Sequence, residues 1–183
     1  MLTRLSDKLF QLARGRVILV FLVLEVLFNV IFQVIGTRIR AASGGVGAID
    51  LLFTYTPEQV FGMVAAYGEA GRRLYAWVEV TADLVYPIVY SLFFSLLITY
   101  LFRRASISEK LTRWAGFVPL TGALFDYAEN IGIVTMLLSF PAQPAAVALL
   151  SSIFTTIKWL LAGASLVLVL AGLVLLLISR LRR

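Results

Sequence analysis

Residues 115–140, AGFVPLTGALFDYAENIGIVTMLLSF, decide the fold, because their two arms read as membrane helix and their centre does not. Asp126, Glu129 and Asn130 stand between the apolar arms. A span needs about 20 mostly apolar residues, so one helix through the bilayer requires these three side chains to face protein rather than lipid. Helical spacing permits this, since all three share a face with Gly122. Read so, the chain has four spans, near 17–36, 82–102, 115–140 and 146–179. The last is longer than a bilayer requires and must tilt or project.

Composition agrees with a membrane class. The chain has 183 residues, 61% of them hydrophobic, and a mean hydropathy of +0.95. It contains neither Cys nor His, which removes thiol nucleophiles, disulfides, haem histidines and the usual zinc and copper ligand sets. No cofactor or metal site is expected; a metal, if one bound, would be a hard cation on oxygen ligands. The net charge of +6 does not point to nucleic acid, because the basic residues flank apolar runs instead of gathering on a soluble face.

Those flanks set an orientation. Arg4, Lys8, Arg14 and Arg16 precede the first span, Arg103, Arg104, Lys110 and Arg113 follow the second, and Arg180, Arg182 and Arg183 end the chain. The connection 37–80 holds Arg38, Arg40, Arg72 and Arg73 over a longer stretch, and the short one at Pro141 and Pro144 holds none. The positive-inside rule then places both termini in the cytoplasm of a multi-pass inner-membrane protein. Basic residues before an apolar run imitate a leader at 1–16, but no small-residue cleavage site follows, so the run is read as the first span.

Connection 37–80 is the sizeable region outside the bilayer. Its 43–47, SGGVG, reads as flexible chain, and its glycines fit no dinucleotide fingerprint. Thr56-Pro57-Glu58-Gln59 is a helix start, with Thr56 as N-cap, Pro57 at the first position and Gln59 placed for a capping box. A short helix to about Tyr67, ended by Gly68, follows. Phe61, Val64, Tyr67, Leu74, Tyr75 and Trp77 suit an element lying at the outer interface or covering the mouth of a bundle. The expected fold is therefore all-α: a single membrane domain over 1–183, a four-transmembrane-helix bundle with one short outer interfacial helix.

Every span carries polar side chains at helical spacing. Glu25, Asn29 and Gln33 form a stripe on the first; Asp83 shares a face with Tyr86, Pro87 and Tyr90 on the second; Ser151, Thr155, Lys158 and Ser165 lie on the fourth, with Trp159 beside the lysine. Because lipid rejects them, these faces should converge on the interior. Glu25, Asp83, Asp126 and Glu129 would then meet one base, Lys158, and full ionisation would leave three negative charges uncompensated. A proton, a cation, a basic ligand group, or Arg72 or Arg73 folding in from the loop must neutralise the excess. The plain alternative is helix-joining polar contacts, typically about 0.6 kcal/mol each.

The pattern Gly71-Arg72, Tyr75, Asp83, Tyr86-Pro87 and Tyr90, followed by Asp126, Glu129 and Asn130, resembles a group of small bacterial four-span membrane proteins without an assigned function. The likeness covers about 56–158 and implies the fold. A weaker likeness is to the sterol isomerase and sigma-2 receptor family, similar in its few spans, its outer connection after the first and its acidic membrane cavity. This chain lacks the histidine of the isomerase members.

Three functions remain open to the sequence. The first is a binding or transport protein whose acidic cavity holds a proton, a cation or an amine-bearing or lipid-like ligand on Asp83, Asp126 and Glu129. Asn130 and Lys158 would orient it, Glu25 and Asn29 complete the candidate ligand-binding set, and Tyr86, Tyr90 and Trp159 would wall it. The second is a membrane enzyme acting on a lipid or isoprenoid through paired carboxyls. The third is a structural subunit, as homo-oligomer or complex member, with the smooth fourth helix as its partner face.

Overall fold

The computed structural model describes residues 2–181; Arg182 and Arg183, counted in the tail's charge, and Met1 lie outside them. Among the described residues the chain forms seven α-helices: α1 (Leu2–Leu12), α2 (Gly15–Ala42), α3 (Pro57–Ala66), α4 (Gly68–Glu79), α5 (Ala82–Arg104), α6 (Glu109–Ser139) and α7 (Ala145–Leu181). A 3-10 turn at Ile49–Leu51 precedes α3. The protein is all-helical, and α2, α5 and α7 are long and apolar enough to cross a membrane.

The expected count of four is met for these three. α6 is long enough, at 31 residues, but Asp126, Glu129 and Asn130 dilute its hydropathy below that of the others. Boundaries also move outward from the hydropathy reading. α2 runs on through Thr37, Arg38 and Arg40 to Ala42, because charge alone does not end a helix whereas backbone geometry does. There Gly44 and Gly45 take φ of 67° and 106°, open to glycine at no steric cost. Ser43 Oγ lies 2.8 Å from the carbonyl oxygens of both Ile39 and Val46. The segment expected as flexible chain is a turn built on specific bonds.

The long helices contribute to two compact units. One contains Ile88–Ala123 together with the chain as far as Glu25 and from Leu160. Its apolar clusters join Leu9, Ala13, Ile18 and Leu96, and Ile98, Leu101, Phe102, Ala115 and Val169. α1 is a separate helix that hydropathy does not mark; Arg113 holds it, donating to Ser6 Oγ and Asp7 Oδ1 at 2.7 Å each.

The other unit contains Val26–Pro87 and Leu124–Trp159. Thr56 caps α3 as the sequence suggested, its hydroxyl accepting from the Gln59 N–H at 3.2 Å with Pro57 at the first position. Gly68, at φ 63°, turns the chain from α3 straight into α4. Most of the apolar residues expected at an outer interface or over the mouth of a bundle are turned to the protein. Phe61, Val64, Tyr67 and Tyr75 are buried in one core with Ile133, Met136, Leu137 and Ala148, while Trp77 is exposed. The rings of Tyr67 and Tyr75 meet edge-on, centroids 5.5 Å apart.

Candidate functional site

The second unit brings five of the chain's ten acidic residues together. Asp83 comes from the first turn of α5, Asp126 and Glu129 from α6, Glu79 from the end of α4 and Asp50 from the 3-10 turn. Lys158 of α7 stands among them. Its Nζ is 2.5 Å from Glu129 Oε2, 3.7 Å from Asp126 Oδ1 and 3.4 Å from the Asp50 carbonyl oxygen. Glu129 is fully buried and also accepts from Thr155 Oγ1 at 2.7 Å, while Ser151 Oγ donates to the Glu129 carbonyl at 3.2 Å.

This last contact rests on Gly132. A Cβ there would come 2.7 Å from Ser151 Cβ and Oγ, so the residue's smallness lets α6 and α7 approach. Asn130, one residue beyond Glu129, donates from Nδ2 to Asp83 Oδ2 at 2.7 Å. Each of the α6 polar residues that interrupts the hydropathy therefore has a partner on another element or a place in the acidic group.

Asp50 is fixed from both sides. Tyr75 OH donates to Asp50 Oδ1 in a short contact and accepts from the Ile49 N–H at 2.8 Å. Trp159 Nε1 donates to the Asp50 carbonyl at 3.2 Å. Glu79 is only 4% exposed, and its Oε2 has no hydrogen-bond partner among the described residues. Burial pushes the Glu79 carboxyl well above its usual range, and the carboxylates of Asp50, Asp83 and Glu129 add to this against the opposing pull of Lys158. Burial also raises the Tyr75 phenol, with Asp50 and Glu79 contributing.

Of the residues singled out in the sequence, Asp83, Asp126, Glu129, Asn130 and Lys158 meet here. Tyr86 belongs to the same unit but meets the rings of Phe28, tilted, and Phe32, edge-on, with centroids 5.7 and 5.1 Å away. Glu25 and Tyr90 belong to the first unit, where Tyr90 OH neighbours Gly122. Asn29 and Gln33 lie exposed on α2, against the expectation that all four polar faces turn inward. A stripe every four residues defines a face but not its direction. Neither loop arginine neutralises the acids. Arg72 donates to the Val64 carbonyl and covers the Phe140 ring at 3.9 Å, and Arg73 pairs with exposed Glu69 at 2.7 Å.

Asp50, Glu79 and Tyr75 are the members that sequence reasoning left in the outer connection. Glu79 carried one signal: it lies four residues before Asp83. Among the described residues, no group of three or more acidic side chains is arranged to hold a metal ion. No family model, curated protein or solved structure matches the chain.

Proposed function

We propose that the chain is an integral membrane protein of four spans, both termini cytoplasmic, whose acidic site takes up a proton or an organic ammonium group and serves in its binding or transport. The observation that carries this is the imbalance of five carboxyls from three helices and a turn around one lysine on a fourth helix. Ionised together they would cost several kcal/mol per buried charge. Lys158 answers Glu129 directly, so the demand for positive charge falls on Asp50, Glu79, Asp83 and Asp126. A proton meets it without further space.

The exposed face of α6 supports counting that helix as the fourth span. Leu124, Ile131 and Leu138, at 69, 69 and 66% exposure, are suited to lipid. The two exposed threonines return their hydroxyls to their own helix, Thr121 to the Phe117 carbonyl at 3.1 Å and Thr135 to the Ile131 carbonyl at 2.7 Å. Averaged hydropathy penalises α6 for residues the bilayer would not meet. The positive-inside rule supports the orientation.

Infrared difference spectroscopy on the protein in lipid tests the site. A protonated-carboxyl carbonyl band is expected at neutral pH, reduced in Glu79→Gln and Asp83→Asn and altered by a primary amine. Absence of the band together with indifference to amines would remove this reading.

A further inference from the structure

The first unit, apart from the acidic site, holds two adjoining cavities. The larger, about 600 Å³, is lined by Arg14, Arg103 and Arg104 with Phe10, Gln11 and Tyr100. The smaller, about 310 Å³, shares Arg103 and Arg104 and adds Arg180 with Ser106 and Ser179. Among the described residues, no carboxylate lines either cavity. Two acids of the same unit, Asp7 and Glu109, are bound instead by Arg113, at 2.7 and 2.5 Å.

Basic residues at the ends of membrane helices serve orientation, and that accounts for their sign. It does not account for three guanidinium groups drawn around one volume, where like charges repel unless an anion joins them. Nor does it account for the bracing of two of them. Arg103 donates to the Phe10 carbonyl at 2.6 Å and lies 5.3 Å from the Phe10 ring centroid, and Arg104 lies 5.3 Å from that of Tyr100. A braced guanidinium loses less freedom on binding, and its planar fork matches phosphate oxygens in pairs. The volume falls in the range of about 300–1,000 Å³ usual for small-molecule sites.

We propose that Arg14, Arg103 and Arg104 form a binding site for a phosphate group, carried by an anionic phospholipid head group or by a free phosphate ester. The site is distinct from the acidic one in residues, charge and ligand.

The full chain in mild detergent, titrated with phosphatidylglycerol, phosphatidylcholine or inorganic phosphate, provides the test through melting temperature and native mass spectrometry. Phosphatidylglycerol or phosphate should bind saturably and phosphatidylcholine should not. Arg14→Gln and Arg104→Gln should each weaken binding roughly tenfold. Arg103 is left in place because it also holds the Phe10 carbonyl. Saturation by inorganic phosphate alone would identify a free phosphate ligand; saturation by the lipid without displacement by phosphate would identify a head group. Should a variant fail to fold, carbene footprinting of the wild type decides, with protection expected at 10–15 and 100–104 on ligand addition. No saturable binding, unchanged affinity in both folded variants, or protection confined to other segments would overturn the proposal.

Discussion

Lys158→Met removes the ammonium from the acidic site while keeping the apolar stem. In the wild type Nζ stands 2.5 Å from Glu129 Oε2, with the two side chains 12 and 0% exposed. The variant leaves Glu129 buried with the Thr155 hydroxyl at 2.7 Å as its remaining side-chain partner. Taking one member from a buried pair costs about 3–5 kcal/mol. At about 2–4 °C per kcal/mol for a chain of this size, the melting temperature should fall by roughly 6–20 °C. Thermal unfolding in mild detergent, followed by circular dichroism, measures it. Adding Glu129→Gln should recover more than half of the loss, since the amide oxygen still accepts from Thr155 while the orphaned charge is gone. A fall under about 2 °C, typical of an exposed pair, would refute the placement of Lys158 among the acids.

Further outcomes follow from other parts of the same unit. Glu79 has a folded-state pKa above its ordinary 4.5, so the stability it contributes is complete below that value and is lost as pH rises towards the folded one. Glu79→Gln should therefore match the wild type near about pH 4 and melt increasingly above it as the solution becomes alkaline; parallel melting curves at all pH values would contradict this. Tyr75→Phe strips the Ile49 N–H and Asp50 of their shared partner and should cost about 1–3 kcal/mol, read in the same unfolding assay. Gly132→Ala drives a methyl to within 2.7 Å of Ser151 and should cost about 1–3 kcal/mol, with Gly132→Ala in a Ser151→Gly background recovering most of it.

What could be read from the chain follows from what each signal encodes. Hydropathy and helical spacing placed Asp126, Glu129 and Asn130 on one face and Lys158 on another helix, and those residues do meet. The Thr56-Pro57 start was legible because capping is a local bond between residues three apart. Asp50 and Glu79 were not legible, since they sit in a connection whose path depends on Tyr75 and on the core shared with Ile133 and Met136. Such long-range contacts leave no periodic trace. The α2 stripe misled for the opposite reason: Asn29 and Gln33 keep helical spacing but lie exposed, and spacing is blind to which side of a helix the protein covers.

If the carboxyls beyond Glu129 are kept for a ligand and not as glue, Asp126→Asn reveals it. Asp126 lies 3.7 Å from a lysine already engaged at 2.5 Å by Glu129, so the amide removes crowded negative charge and little attraction. Melting temperature at neutral pH should equal or exceed that of the wild type, with the response to amines weakened. Melting several degrees lower at every pH, with the amine response intact, would make Asp126 a structural contact and contradict a ligand role.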